Sequence, residues 1–98
     1  MMPSAQCSTM DELRQQIDRL DDQLVLLLAK RAEYIQRAAD LKRSNGMPAR
    51  IDDRIEQVVN RAMANAARAG LDPQLAETLW RALIEWSIQH EETALGRQ

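Results

Sequence analysis

Aromatic residues and cysteine are scarce in this sequence of 98 residues. It contains two tryptophans, one tyrosine and no phenylalanine, and its single cysteine is Cys7. One cysteine cannot form an intrachain disulfide, and no Cys/His cluster predicts a zinc site. A chain of this length has a small core, which here is short of large side chains. The composition therefore leads us to look for burial against a partner.

Long apolar runs and a strong charge of one sign are also missing. No apolar run approaches the ~18 residues that suggest a membrane-spanning helix. The N-terminus has neither the positive region nor the apolar region of a signal peptide. The net charge is −2 and the pI about 5.3, which argues against binding to nucleic acid or to an acidic membrane. We expect a soluble protein of a reducing cytoplasm.

The residues that are present predict a long first helix. Thr9–Glu12 has the T-x-x-E pattern of a capping box, which is typical of a helix start. The pattern ends at Ser44–Gly46 with Pro48 just beyond, which predicts a helix of about 35 residues. Between these points apolar residues recur at spacings of three and four, as in a heptad repeat. They are Met10, Leu13, Ile17, Leu20, Leu24, Leu27, Tyr34, Ala38 and Leu41.

Two shorter helices should follow. The second runs from about Asp52 to Arg68, with Gly70 placed to cap its C-terminus. The third begins with Asp72 as its N-cap and ends near Gly96. The apolar stripe of the second helix consists of Ile55, Val58, Val59, Ala62 and Ala66. That of the third consists of Leu75, Leu79, Leu83, Trp86 and His90.

The organisation predicted from these patterns is a flexible lead-in, residues 1–8, followed by one all-α domain over residues 9–96. A first helix of this length is a rod of roughly 50 Å, whereas a globule of this size is only about 33 Å across. Two short helices cannot cover its apolar face, so we expect a two-fold homodimer. A broken first helix in a four-helix monomer is the alternative, but no Gly or Pro lies between Leu13 and Arg43.

Arg31 lies on the apolar face of the first helix, at the position that continues Met10, Ile17 and Leu24. Burying a cation is costly unless it is paired. Either the side chain extends until its charge reaches the edge of the interface, or an anion from outside pairs with it. The spacing leaves both alternatives open.

Lys42 and Arg14 extend this positive charge along the helix. Eleven residues at ~100° each bring Lys42 to within ~20° of the face of Arg31, about 16 Å along the axis. The two side chains could bracket a small dicarboxylate, although Lys42 alone could also serve the negative end of the helix dipole. Arg14 lies about 25 Å from Arg31 and could reach that site only from an antiparallel second subunit; otherwise it is a solvated arginine.

The third helix offers two polar residues one turn apart, Ser87 and Glu91, which share a face just past the apolar stripe. They either face a site or form a solvated helix end with His90 and Glu92. His90 is the only histidine, and no second base or nucleophile accompanies it, so we do not assign it a catalytic role.

A set of motifs resembles the all-helical chorismate mutases from about residue 10 to residue 92. Leu13–Asp21 reads L-R-x-x-I-D-x-L-D and Leu27–Ala32 reads L-L-A-K-R-A; Lys42, Pro48–Arg50 and Asp53–Arg54 follow. The resemblance implies a three-helix protomer in an intertwined homodimer that acts on the dicarboxylate chorismate without metal or cofactor.

The resemblance also implies roles for individual residues. Arg14 of the partner and Arg31 would hold the two substrate carboxylates, and Lys42 would contact a carboxylate and the ether oxygen. Glu91 would donate a hydrogen bond to that oxygen. The other residues assigned to the pocket, or to the loop that covers it, are Arg50, Arg54, Ile55, Ser87, Ala38, Ile84 and Ile88.

Two positions depart from the family pattern. The residue after Arg54 is often a glutamate that binds the ring hydroxyl, whereas here it is Ile55. The position of Glu91 is usually a glutamine, and a carboxyl group can donate a hydrogen bond only when it is protonated. Desolvation beside a substrate oxygen would favour the protonated form, and Lys42 would oppose it.

The reaction that the resemblance implies is a Claisen rearrangement of chorismate to prephenate. It needs a dianion held in its reactive conformer and stabilisation of charge on the ether oxygen. The isochorismate pyruvate lyases share the fold and the cations, and Cys7–Thr9 and Glu85-Trp86 are similar to that branch. The mutase is our favoured interpretation. The lyase, a helical dimerisation module and a member that binds without turnover are the alternatives.

Overall fold

The computed structural model describes residues 2–96. Three α-helices make up most of them: α1 Met10–Asn45, α2 Asp52–Ala69 and α3 Pro73–Ala94, preceded by one turn of 3-10 helix at Ser4–Gln6. These residues contain no strand, so the predicted all-α protomer with one long helix is confirmed. None of the described helices is long and apolar enough to cross a membrane.

The start of α1 is fixed by the residues that the sequence indicated. The Thr9 hydroxyl oxygen accepts a hydrogen bond from the Glu12 backbone N–H at 3.1 Å. The Glu12 carboxylate accepts hydrogen bonds from the hydroxyls of Thr9 and Ser8, at 3.3 and 3.1 Å. This arrangement satisfies a backbone donor that the first turn would otherwise leave open. From there α1 continues for 36 residues, which confirms the prediction of an unbroken helix.

Glycines end α1 and α2 where the sequence predicted. Gly46 and Gly70 have φ values of 68° and 77°, a left-handed conformation that glycine adopts without a steric penalty. Beyond α1, the Met47 backbone N–H donates to the Lys42 carbonyl at 2.9 Å and completes a Schellman motif. The start of α3 is also as predicted, since the Asp72 side chain accepts a hydrogen bond from the helix backbone at 3.0 Å.

The chain divides into two compact units, Met1–Glu33 and Tyr34–Gln98. In the first unit most of the apolar side chains of α1 lie open to solvent. Five consecutive apolar residues, 24–28, expose between 42% and 71% of their surface. Apolar surface of this kind is typical of association sites. The exposed residues of the predicted heptad pattern in this unit are Met10, Ile17, Leu20, Leu24 and Leu27.

The second unit contains the hydrophobic core, where α2 packs on α3. Val59 is 1% exposed and lies at its centre with Ala49, Ile84 and Ile88. The stripe predicted for α2 is confirmed, because every one of its residues is buried or packs against the core. These residues are Ile55, Val58, Val59, Ala62 and Ala66.

The apolar stripe predicted for α3 is largely exposed in the single chain. Leu75, Leu79 and Trp86 expose 45%, 46% and 52% of their surface. The face of α2 buries two alanines, Ala62 and Ala66, and such a face lets a neighbouring helix approach closely. Packing is therefore decided by fit between the two helices as well as by hydrophobicity. The residues of α3 that are buried are Ala76, Ile84, Ser87, Ile88 and Glu91.

We expect Val59→Ala to lower the free energy of unfolding by about 2 kcal/mol, because it removes two methyl groups from a fully buried position. Val58 is only partly buried, so Val58→Ala should cost less than about 1 kcal/mol. Urea unfolding at one fixed protein concentration measures both. Equal losses for the two variants would contradict the assignment of Val59 to the centre of the core.

Candidate active site

The main polar contact inside the second unit joins the last turn of α1 to α3. Lys42 Nζ lies 2.7 Å from Glu91 Oε1. Glu91 is 4% exposed, and the Lys42 side chain is 18% exposed. The idea that Ser87 and Glu91 form a solvated helix end is wrong, because both residues are buried.

Lys42 also holds the loop that follows α1. Its ammonium group donates a hydrogen bond to the Ala49 carbonyl at 2.8 Å. The approach of Lys42 to Glu91 Oε1 is close but lies outside hydrogen-bond geometry, so this buried oxygen accepts no hydrogen bond from the described residues. The electrostatic attraction between the ammonium group and the carboxylate does not depend on hydrogen-bond geometry. An ammonium group has three hydrogens, so donors remain for an anion.

The other predicted pocket residues of α3 line its buried face. The Ser87 hydroxyl donates to the Leu83 carbonyl one turn earlier, at 2.8 Å. Ile84 and Ile88, the predicted apolar wall, belong to the hydrophobic core together with Ala49. Ala38 on α1 is half-buried. Glu91 is thus a carboxyl group on the same buried face of α3 as two residues of the apolar core.

The loop residue Arg50 forms a two-pronged ion pair with Glu85 of α3. Its two terminal nitrogens donate to the two carboxylate oxygens at 3.0 and 2.8 Å. The hydrogen bonds and charge of Glu85 raise the pKa of Arg50, and those of Arg50 lower the pKa of Glu85. The pair therefore acts at neutral pH and is lost as the pH falls through the lowered pKa of Glu85. Sequence reasoning gave Glu85 no role.

Arg54 and Ile55 lie in the first turn of α2. Arg54 is exposed, whereas Ile55 is half-buried. The Arg54 guanidinium donates to Gln57 Oε1 at 2.7 Å within the same helix. Ile55 packs against the hydrophobic core. An apolar residue after Arg54, where the family pattern often has glutamate, therefore contributes to packing in this chain.

Arg14 and Arg31 lie on α1 in the first unit, Met1–Glu33. Arg14 is exposed and Arg31 is half-buried. Their part in binding the substrate stays a prediction.

A chain of polar contacts that the sequence did not indicate also joins α1 to α3. His90 Nε2 is 2.7 Å from Gln36 Oε1, and the Gln36 amide donates to Asp40 at 3.4 Å. The amide oxygen then faces His90, which makes Nε2 the donor. The His90 ring stacks on Trp86 with centroids 5.1 Å apart. No group of three or more potential metal ligands occurs among residues 2–96.

Comparison with known proteins bears on this site. The family described as chorismate mutase type II matches residues 13–92. A T-protein of Haemophilus influenzae is 30% identical over 82% of this chain, which spans about a fifth (21%) of that protein. An isochorismate pyruvate lyase of Pseudomonas aeruginosa is 29% identical over 87% of the chain and 83% of its own length. A 4-amino-4-deoxychorismate mutase of Streptomyces pristinaespiralis is 30% identical over 92% of the chain and 70% of its own length.

The matched region contains all of α2, most of α1 and α3, and both partners of the Lys42–Glu91 pair. It confirms the resemblance noted from the motifs on α1. The chain belongs to the chorismate mutase type II family.

Proposed function

We propose that the chain is a chorismate mutase, which rearranges chorismate to prephenate. The observation that carries the proposal is the Lys42–Glu91 pair, a cation and a carboxyl group 2.7 Å apart at the edge of an apolar core. A pair of this kind contributes little net stability, because desolvation offsets its attraction. Its presence is better explained by function, and the family match supports that explanation.

The chemistry of the rearrangement suits these residues. It breaks the ether C–O bond and forms a C–C bond within one molecule, so no nucleophile, electron or proton has to be supplied. Negative charge grows on the ether oxygen in the transition state. The Lys42 ammonium group, fixed by Ala49 and Glu91, is a preorganised donor for that charge.

The two substrate carboxylates need further cations. We propose that Arg31 and Arg14 of the partner subunit bind them, and that Arg54 and Ser87 support the ring end of the pocket. The exposed apolar residues 24–28 of α1 support a homodimer, because a second copy would remove this surface from water. The L-R and K-R motifs around Arg14 and Arg31 support their roles by resemblance.

Glu91 has a defined part in the proposal. In its protonated form the carboxyl group can donate a hydrogen bond to the ether oxygen, which the carboxylate cannot do.

We therefore expect Glu91→Gln to keep kcat for chorismate, because the glutamine amide can donate a hydrogen bond to the ether oxygen without a bound proton. Glu91→Ala removes the donor and should lower kcat by about 10²-fold. Steady-state kinetics measure both. Glu92→Ala, the same truncation one residue along, should leave kcat unchanged, and equal kcat values for Glu91→Gln and Glu91→Ala would refute the role of Glu91.

A second candidate function is isochorismate pyruvate lyase. The observation that favours it is the match to that enzyme over 83% of its own length. The lyase reaction also proceeds within one molecule and makes similar demands on orientation and charge. The cations therefore do not separate the two activities.

One experiment decides between them. The purified protein is incubated separately with chorismate, isochorismate and 4-amino-4-deoxychorismate, and the products are identified. Prephenate from chorismate supports the mutase, whereas salicylate and pyruvate from isochorismate support the lyase. Turnover of 4-amino-4-deoxychorismate alone would indicate a mutase that is specific for the ring amino group in place of the hydroxyl. No product from any substrate would refute the enzyme proposal.

A further inference from the structure

The loop of residues 46–51, between α1 and α2, is held by three contacts concentrated in two adjacent residues. The Ala49 side chain is buried in the core beside Ile84 and Ile88. The Ala49 carbonyl accepts the hydrogen bond from Lys42 at 2.8 Å. The next residue, Arg50, is tied to Glu85 through two hydrogen bonds. The peptide carbonyl that contacts the proposed catalytic lysine is thus held by the buried Ala49 side chain and by the Arg50–Glu85 pair.

We infer that Glu85 is a positioning residue: through Arg50 it holds the Ala49 carbonyl against Lys42 and so fixes the direction of the ammonium group. This inference rests on the proposed function, because the direction matters only if Lys42 acts on a ligand. Glu85 itself touches no reacting atom in this scheme. Its effect reaches Lys42 through the Arg50 side chain and the Ala49 carbonyl.

The chemistry of lysine explains why such a support is needed. Its ammonium group is a point charge on a flexible four-carbon stem, and nothing in the side chain sets its direction. The close charge of Glu91 fixes its position but, lacking hydrogen-bond geometry, not its angle. The directional bond to Ala49 supplies the angle.

The form of the Arg50–Glu85 pair suits this task. A guanidinium that meets a carboxylate through two parallel bonds fixes orientation as well as distance. Both side chains are about half exposed, 44% and 53%, so the pair is weak enough to break and re-form in water. Loss of the pair lets residues 46–51 leave α3 more often, and each departure removes the Ala49 carbonyl from Lys42.

The test compares Glu85→Gln with a matched control, Glu56→Gln. Glu56 of α2 pairs with Arg81 of α3 at the same exposure, 57% and 45%, and its contact with Arg81 lies outside the loop. Hydrogen exchange of residues 46–51 reports loop opening without reference to activity. Steady-state kinetics with chorismate, well below the unfolding temperature, report the effect on Lys42.

We expect Glu85→Gln to speed exchange of residues 46–51 about fivefold and to lower kcat/KM by a similar factor, as loss of an exposed pair allows. Glu56→Gln should change neither. The exchanged pair, Arg50→Glu with Glu85→Arg, should recover most of the slow exchange of residues 46–51. Equal exchange rates in the two single variants, an unchanged kcat/KM in Glu85→Gln, or no recovery of slow exchange in the exchanged pair would overturn the inference. If the unaltered protein turns over no substrate, the proposed function fails, while the exchange rates still decide whether Glu85 holds the loop.

Discussion

Lys42→Ala should lower kcat for chorismate by about 10²- to 10³-fold, the usual effect of removing one preorganised donor from a developing oxyanion. The loss should appear in kcat and kcat/KM together, because the interaction is strongest in the transition state. Steady-state kinetics at saturating and limiting chorismate measure both constants. A variant that retains kcat within about threefold would show that Lys42 does not act on the ether oxygen.

The same substitution should also destabilise the fold, and a control separates the two effects. Without Lys42, the buried carboxylate of Glu91 has lost its countercharge, which costs roughly 3–5 kcal/mol when one partner of a buried pair is removed. Lys42→Ala combined with Glu91→Gln removes the uncompensated charge. We expect the double variant to regain most of the stability in urea unfolding while turnover stays low. Recovery of turnover with stability would mean that Lys42 serves only the fold.

The helix boundaries could be predicted because they depend on local chemistry. Thr9 caps the start of α1 within one turn, and Gly46 and Gly70 adopt the left-handed conformation that ends a helix. Each signal acts over about four residues, so the folded partner helices are not needed to interpret it. The face of α3 that packs on α2 could not be predicted, because the choice between its leucines and its Ala76 face depends on the shape of α2.

The candidate site could be predicted only in part, for a related reason. Lys42 and Glu91 were found from helical spacing and resemblance, and the structure brings them together. The pair Arg50–Glu85 spans 35 residues of sequence and the contact Gln36–His90 spans 54. The periodicity of one helix does not indicate which of its side chains will contact a given side chain of another element. Contacts of this range are set by how the elements pack, which the pattern within a single helix does not encode.

The second large effect concerns Arg14, and it tests whether the active site is shared between subunits. Arg14→Ala should nearly abolish turnover, because a buried or partly buried substrate carboxylate loses its countercharge. The matched control is Arg19→Ala, which removes another exposed arginine of α1 and should leave turnover unchanged. Loss of activity in Arg14→Ala alone would still not say which subunit's pocket the arginine serves.

Mixing two inactive variants answers that question. Arg14→Ala and the double variant Lys42→Ala/Glu91→Gln are unfolded together at equal concentration and refolded. If Arg14 acts across a two-fold interface, each mixed dimer contains one pocket with all native residues and one with none of the three. Random pairing makes half of the dimers mixed, so turnover should return to about a quarter of that of the unaltered protein. If Arg14 served its own subunit, every pocket would carry a substitution, and the mixture would stay as inactive as its two components.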